Sequence, residues 1–149
     1  MSSIRGLLQN RKPLVTVAAD QMAFAAIERM AGADVGAVLV LDDSGSIVGI
    51  FTERDCLQKL SSKRLDPTTT PLRHVMTTSV RYAKPDQAVE DCLRLMTERF
   101  FRHLPVLDEQ GKILGIVSIG DLVKARLTEQ EFVIGQMEHY IADSLPVQR

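Results

Sequence analysis

Two pairs of residues in this sequence place an acid three positions after a hydroxyl. Thr52 precedes Asp55, and Ser118 precedes Asp121. Each pair stands between an apolar run that predicts a strand and a pattern that predicts a helix. At a helix start, backbone N–H groups and the helix dipole attract anions. A hydroxyl there can donate to a phosphate, and a carboxylate one turn later can accept from both hydroxyls of a ribose, so the pairs suggest phosphate and sugar recognition.

The same spacing also has a purely structural interpretation. In a capping box, the hydroxyl accepts from the backbone N–H three residues later, and the acid folds back onto the first N–H. Taken alone, the spacing favours this capping role. The residues alone are compatible with both roles.

The two pairs lie in a duplicated segment. Val40–Asp55 aligns without a gap on Val106–Asp121 at an offset of 66 residues (121 − 55 = 66). Both copies read as an apolar run, a turn signal with Asp and Gly, and a second apolar run, which predicts a β-hairpin followed by a helix.

The rest of each copy predicts the order β-α-β-β-α. The first copy is predicted as a strand at 14–17, a helix at 22–31 closed by Gly32, strands at 37–41 and 47–51, and a helix at 52–60. The second is predicted as a strand at 80–83, a helix at 88–98, strands at 104–107 and 113–117, and a helix at 118–127. A unit of this size buries too little surface alone, so we expect the two copies to pack about a pseudo-twofold axis.

This order predicts an α+β protein with four parts. Residues 1–64 are repeat 1 with an N-terminal lead-in, 65–75 a polar linker, 76–127 repeat 2, and 128–149 a C-terminal helix and tail. The tail predicts a helix with a stripe near heptad spacing that either folds back on the same chain or forms a homodimer contact. The stripe contains Phe132, Val133, Gln136, Met137, Tyr140 and Ile141.

Composition excludes several classes of protein. Lys and Arg total 18 against 19 Asp and Glu, for a net charge of −1, which disfavours nucleic-acid binding. No apolar run is long enough for a membrane span, and the N-terminus lacks a secretion signal. Two cysteines without metal-ligand spacing, Cys56 and Cys92, favour a reduced cytoplasmic protein.

Catalytic and metal sites have little support in the sequence. The three histidines, His74, His103 and His139, lack a second ligand at metal spacing. Neither a nucleophile elbow nor a repeated paired-carboxylate arrangement appears. We therefore predict no catalytic residues, no metal and no enzymatic activity.

The duplicated motifs point to a known family. With Gly49–Asp55 (GIFTERD), Gly115–Asp121 (GIVSIGD) and Arg102–Val106 (RHLPV) opening the second hairpin, the sequence resembles a tandem pair of cystathionine β-synthase (CBS) domains, or Bateman module, of the stand-alone bacterial type. The resemblance covers residues 14 to about 127.

The resemblance implies adenosine-type ligands, such as AMP, ADP or ATP, in clefts between the two halves. By analogy, phosphate would meet Thr52, Arg54 or Ser118, and the ribose would meet Asp55 or Asp121. The walls implied for these clefts comprise Leu14, Val15, Thr16, Val35, Gly36, Ala37, Ile50, Val80, Arg81, Arg102, His103, Leu104, Pro105 and Ile116.

The two copies differ where phosphate would bind. Gly36 and Ala37 align with Arg102 and His103, while Arg54 aligns with Gly120. A cleft that combines Arg54, Arg102 and His103 would be electropositive and suited to several phosphates, and the other would bind weakly or stay empty.

The function implied is a regulatory, energy-sensing module that binds adenine nucleotides, forms a homodimer and acts in trans on a partner. The alternatives are a structural or interaction protein with vestigial clefts, and a module for another adenosyl ligand such as NADH or S-adenosylmethionine.

Overall fold

The structure, a computed structural model, describes residues 2–9 and 13–144, with side-chain surroundings given up to residue 139. Two compact units divide the chain. One ends at Tyr82, and the other begins at Ala83 and also includes the described N-terminal residues 2–9. The predicted α+β class is confirmed.

The first unit contains a three-stranded sheet and two helices. Its elements are β1 (Thr16–Ala18), α1 (Ala23–Ala33), β2 (Ala37–Leu41), β3 (Ile47–Thr52) and α2, which starts as Glu53–Asp55 and continues as the π-helical turn Cys56–Ser61. β1 pairs parallel to β2, and β2 pairs antiparallel to β3. The core contains Val17, Ala26, Met30, Val38, Val40, Phe51, Leu60 and Leu72.

Helix α1 runs past the glycine that the sequence analysis took as its end. Gly32 lies inside the helix, and Asp34 ends it in a left-handed conformation with φ 52°. The N–H groups of Asp34 and Val35 donate to Ala31 O and Met30 O, which satisfies two of the last carbonyls of the helix. Asp tolerates this conformation better than most residues with a side chain, so Gly32 is not needed to end the helix.

The second unit repeats most of this order. It contains a short 3₁₀ helix (Ile4–Leu8), α3 (Val89–Arg99), β4 (His103–Leu107), β5 (Ile113–Ser118) and α4 (Ile119–Ser144). β4 and β5 form an antiparallel hairpin in the same register as β2 and β3. Its core contains Ile4, Ala83, Val89, Cys92, Met96, Leu104, Val106, Val117 and Leu122.

The strand predicted at 80–83 is wrong, and proline explains why. Only an isolated parallel bridge, Ala83 to Val106, stands where β1 pairs with β2 in the first unit. In the first unit, Leu39 N–H donates to Val15 O at 3.1 Å and Ala19 N–H donates to Leu41 O at 2.9 Å, one on each side of this position. The residues that align with Leu39 and Ala19 are Pro105 and Pro85, which have no N–H, so the ladder cannot extend in either direction.

The short segments that precede each repeat lie in the unit of the other repeat. Ile4 N–H donates to Gln87 O at 2.9 Å, and Ile4 is fully buried in the second unit. The 3₁₀ turn Leu72–His74 lies in the first unit, where Leu72 N–H donates to Gln21 O at 3.0 Å. The sequence analysis had grouped the lead-in with repeat 1, and the contacts group it with repeat 2.

Helix α4 is continuous, whereas the sequence analysis separated a repeat helix at 118–127 from a tail helix. No Gly or Pro stands at the expected break, so the hydrogen-bond ladder continues. Leu122 is buried, whereas later apolar side chains are exposed: Leu127, Phe132, Val133, Ile134 and Met137. Within the described residues, no helix is both long and apolar enough to cross a membrane.

Candidate functional site

The junction between β3 and α2 is a complete capping box. Asp55 N–H donates to Thr52 Oγ1 at 3.3 Å, and Thr52 N–H donates to Asp55 Oδ2 at 3.0 Å. Glu53 N–H donates to Gly36 O at 3.1 Å, which ties the junction to the start of β2. The capping interpretation of the Thr52 and Asp55 spacing is therefore confirmed.

The Asp55 carboxylate also has partners outside the capping box. It is 6% exposed, and its Oδ1 accepts from Thr77 Oγ1 at 3.1 Å and from Lys59 Nζ at 3.0 Å. Its Oδ2 accepts from both the N–H and the hydroxyl of Thr52. A carboxylate has about four acceptor positions, so Asp55 is saturated by groups of its own unit.

The aligned junction between β5 and α4 has the same capping box, but the neighbours of its aspartate are different. Ser118 N–H donates to Asp121 Oδ2 at 2.9 Å, and Asp121 N–H donates to Ser118 Oγ at 3.1 Å. Ile119 N–H donates to Arg102 O at 2.8 Å, as Glu53 does to Gly36. Asp121 is exposed, and Ala125 stands where the first copy has Lys59, so no ammonium reaches the carboxylate from that position.

The capping contacts occupy backbone N–H donors of both expected anion sites. At each junction three backbone N–H groups, those of residues 52, 53 and 55 and of residues 118, 119 and 121, are used inside the unit. These N–H groups are not available to an anion, so basic side chains are the main candidates for its recognition. Arg54 lies inside the first junction, and Arg102, whose O accepts from Ile119 N–H, lies beside the second; both side chains are exposed.

The structure divides the predicted site residues between the two units. The first unit holds Leu14, Val15, Thr16, Val35, Gly36, Ala37, Ile50, Thr52, Arg54, Asp55, Val80 and Arg81, and the second holds Arg102, His103, Leu104, Pro105, Ile116, Ser118 and Asp121. Within each group, the hairpin places the predicted residues on paired strands: Ala37 opposite Thr52, and His103 opposite Ser118. Ala37, Ile50, Leu104 and Pro105 are buried, whereas Arg54, Arg81, Arg102 and Asp121 are exposed.

Two residues that contact Asp55 were missed by the sequence analysis. Lys59 lies four positions after Asp55, a spacing that places both side chains on one helix face and could have indicated the ion pair. Thr77 is 22 positions away (77 − 55 = 22), so no local pattern indicates its contact. The bridge from Thr77 to Ile50 brings it there, with N–H and O exchanged at 2.8 and 2.9 Å.

The thiol beside this junction is poorly suited to nucleophilic chemistry. Burial, and then the carboxylates of Asp55 and Glu53, raise the pKa of Cys56 above its ordinary value of 9.0. The thiolate is the nucleophilic form of cysteine, so little of it forms near neutral pH. Across the described part of the chain, no group of three or more His, Cys, Asp and Glu side chains could hold a metal ion.

Comparison with known proteins finds one family for both halves of the chain. The family model named CBS domain matches residues 4–62 and 72–128. An uncharacterized 17.7 kDa protein of Acidianus ambivalens is 36% identical over 125 residues, which are 84% of this chain and 71% of that protein.

Solved structures show the same fold. A protein with CBS domains from Burkholderia ambifaria MC40-6 superposes with a TM-score of 0.80 at 38% identity, covering 87% of this chain and 96% of that one. CBSX2, in a complex with AMP, superposes with a TM-score of 0.67 at 29% identity, covering 87% of this chain and 99% of that one.

Proposed function

The chain belongs to the CBS domain family, and on that basis we propose that it is a non-enzymatic regulatory module that binds an adenine nucleotide, AMP, ADP or ATP. The observation that carries this proposal is the duplicated capping box, which fixes two carboxylates at equivalent positions of the two repeats. The AMP complex of CBSX2, a relative of similar fold, supports the choice of an adenosine ligand.

In this proposal the second unit provides the better ribose acceptor. Asp121 is exposed and is held by Ser118, so its carboxylate is already oriented when a ligand arrives. Arg102 directly precedes β4, and His103, the first residue of β4, pairs with Ser118. We assign Asp121 to the ribose hydroxyls, and Arg102, His103 and Ser118 to the phosphate.

The first unit has a different role in the proposal. Asp55 can accept from a ribose only if Lys59 or Thr77 gives up its contact with Oδ1. Binding at Thr52, Arg54 and Asp55 is therefore weaker than at the second junction, or requires a rearrangement. Two properties therefore decide which site binds a nucleotide more tightly: the positive charge near the phosphate, and a carboxylate that is free to accept from the ribose.

Regulation follows from differential affinity for two conformations. A ligand shifts an equilibrium between conformations only by the ratio of its affinities for them. The signal is then passed to a partner protein in trans.

The test is calorimetry of the purified chain with AMP, ADP, ATP, NADH and S-adenosylmethionine. We expect AMP to bind, 2′-deoxy-AMP to bind about tenfold more weakly because one ribose hydroxyl is lost, and Asp121→Asn to reduce the difference between the two ligands. Asp108→Asn, an acid in the hairpin turn of the same unit, is the matched control. Absence of binding by every nucleotide would contradict the proposal.

A second candidate function is an interaction protein with vestigial ligand sites. The saturated carboxylate of Asp55 and the exposed apolar residues of α4 favour it. It predicts that no nucleotide raises the thermal unfolding temperature. It also predicts that substitutions on α4, but not at the two junctions, weaken binding to a partner protein.

We also propose that the chain forms a homodimer through α4. Four exposed apolar residues lie along α4: Val123, Leu127, Ile134 and Met137. Together with Gln130, they follow alternating spacings of four and three residues. This is the period of the contact line in a two-helix coiled coil. Sedimentation of Ile134→Glu with Met137→Glu should give a monomer, whereas Gln136→Glu should leave the dimer intact. A monomeric wild-type chain would contradict this part of the proposal.

A further inference from the structure

An open cavity of about 430 Å³ lies in the first unit, on the side of α2 that faces the chain leading to the 3₁₀ turn Leu72–His74. It is lined by Lys59, Lys63, Leu65, Thr69, Thr70, Pro71, His74 and Val75. None of these residues belongs to the predicted nucleotide site. Its volume is within the usual range for small-molecule sites.

The charged groups of the cavity are cationic or potentially cationic. Lys59, Lys63 and His74 supply N–H donors, and Lys63 and His74 are exposed. Asp66, which precedes the cavity residues 69–75, is not part of the lining, and its Oδ1 accepts from the N–H and hydroxyl of Thr68 at 2.9 and 2.7 Å. The lining therefore offers donors and positive charge to a ligand and presents no carboxylate of its own.

The backbone around the cavity is held by local hydrogen bonds. After the π-helical turn, Arg64 takes a left-handed conformation with φ 54°, and Leu65 N–H donates to Leu60 O at 3.0 Å. On the other wall, Thr70 donates to Asp66 O through both its N–H and its hydroxyl, at 3.0 and 2.7 Å. The hydroxyl protons are thus used internally, so the side-chain cations are the donors available to a ligand.

Lys59 connects the cavity with the β3–α2 junction. Its Nζ lies 3.0 Å from Asp55 Oδ1 and 3.2 Å from Thr77 Oγ1, and the side chain is 33% exposed. An ammonium has three N–H donors, so the cavity side of this group can meet an anion. An anion bound there would compete with Asp55 for this ammonium.

We propose that this cavity binds a phosphate-bearing anion through Lys63, His74 and Lys59. Charge-assisted contacts from several cations to phosphate oxygens are the stronger class of hydrogen bond, and the lining provides them around a space of suitable size. The shared chemistry fits inorganic phosphate, pyrophosphate or the phosphate group of a small metabolite.

The test is an NMR titration of the ¹⁵N-labelled full chain with phosphate or pyrophosphate at constant ionic strength. We expect saturating shifts of the amides of Lys63, Thr69, Thr70 and His74, and an affinity at least about tenfold lower in Lys63→Gln with His74→Gln, which removes an ammonium and an imidazole N–H donor. Lys112→Gln, at an exposed lysine of the second unit, should bind like the wild type.

Three outcomes would overturn the proposal. The shifts could rise linearly without saturation, which indicates nonspecific screening. The double variant could bind as tightly as the wild type. AMP, but neither inorganic anion, could shift these amides, which would make the cavity part of nucleotide recognition.

A consequence for the nucleotide site rests on the proposed function. An anion that draws Lys59 Nζ from Asp55 returns an acceptor position to Oδ1, so pyrophosphate should strengthen AMP binding at the first junction, and Lys59→Met should remove this effect. If AMP fails to bind while pyrophosphate binds, the nucleotide proposal fails and the anion site stands. If both bind without any mutual effect, the link through Lys59 is wrong.

Discussion

Asp55 and Asp121 occupy the same position of a repeat and have different chemical environments. Both close a capping box, but Asp55 also accepts from Thr77 and pairs with Lys59, whereas Asp121 is exposed. The difference comes from residues outside the motif. The Asp55 carboxylate is thus held by groups of its own unit, whereas the Asp121 carboxylate is exposed.

The two aspartates should differ in their effect on stability. We expect Asp55→Ala to lower the free energy of unfolding by about 2–3 kcal/mol, because it removes a nearly buried acceptor and leaves Lys59 without its counter-charge. Asp121→Ala should cost about 1 kcal/mol, as for loss of a helix cap. Urea denaturation followed by circular dichroism measures both values.

A double variant separates the ion pair from the cap. Asp55→Ala with Lys59→Met should recover part of the loss, because the uncompensated ammonium is gone. Equal costs for Asp55→Ala and Asp121→Ala would contradict the structural role assigned to Asp55.

The two thiols should titrate at higher pH in the folded chain than in the unfolded chain. Burial is the main cause that raises the pKa of both Cys56 and Cys92 above 9.0, and Asp55 and Asp91 respectively add to it. A group with a raised folded pKa stabilises the fold below the unfolded pKa, and that stabilisation is lost as pH rises through the folded pKa. Stability should therefore fall above about pH 9.

Alkylation with iodoacetamide between pH 7 and pH 11, followed by mass spectrometry, measures this shift. The partly exposed Cys56 thiol should react in the native chain with a midpoint above 9.0, and in urea it should return to its ordinary midpoint. A native midpoint at or below the urea value would show that burial does not govern the pKa of Cys56.

At the scale of elements, the hairpins were the easiest feature to predict, and two of the errors have local causes. Asp42 Oδ1 accepts from the N–H groups of Ser44 and Ser46, and Gly45 takes φ 83°, as the turn signal indicated. The strand predicted at 80–83 does not form because Pro105 and Pro85 lack the N–H groups that Leu39 and Ala19 donate in the first unit. The end of α1 was misplaced because Asp34 performs the role that Gly32 was expected to perform.

The contact between β3 and the segment at 76–77 depends on a glycine. A Cβ at Gly49 would lie 2.7 Å from Met76 Sδ and 3.0 Å from Thr77 O. Gly49→Ala should therefore cost about 1–3 kcal/mol through overpacking, and it should also weaken the contact between Thr77 and Asp55. Gly32→Ala, where an added Cβ meets nothing within 4 Å, is the matched control and should stabilise α1 by about 0.5–1 kcal/mol.

Urea denaturation together with the exchange rates of the Ile50 and Thr77 amides checks this prediction. The two amides should exchange faster in Gly49→Ala and at the wild-type rate in Gly32→Ala. A neutral Gly49→Ala would mean that the Met76 side chain and the backbone adjust without cost.

At the scale of the molecule, the duplication was visible in the sequence, whereas the exchange of leading segments was not. The offset between Asp55 and Asp121 is enough to define two repeats and their order of elements. Ile4 and Leu72 each precede a repeat and carry the same apolar signal, so a local pattern cannot say which unit buries which residue. The contact of Thr77 with Asp55 was hidden for the same reason, since it depends on the path of the chain between the repeats.

Because of this exchange, a change near the N-terminus should act on the C-terminal repeat. Ile4 is fully buried among residues of the second unit, and Leu72 holds the corresponding place in the first. Ile4→Ala should cost about 2–4 kcal/mol, the range for a large-to-small change in a core, and the loss of hydrogen-exchange protection should appear in α3 and β4. Leu72→Ala is the matched control, with loss in α1 and β2. If Ile4→Ala instead loosened the first unit, the N-terminal segment would pack with its own repeat in solution, and the exchange inferred from the Ile4 contacts would be wrong.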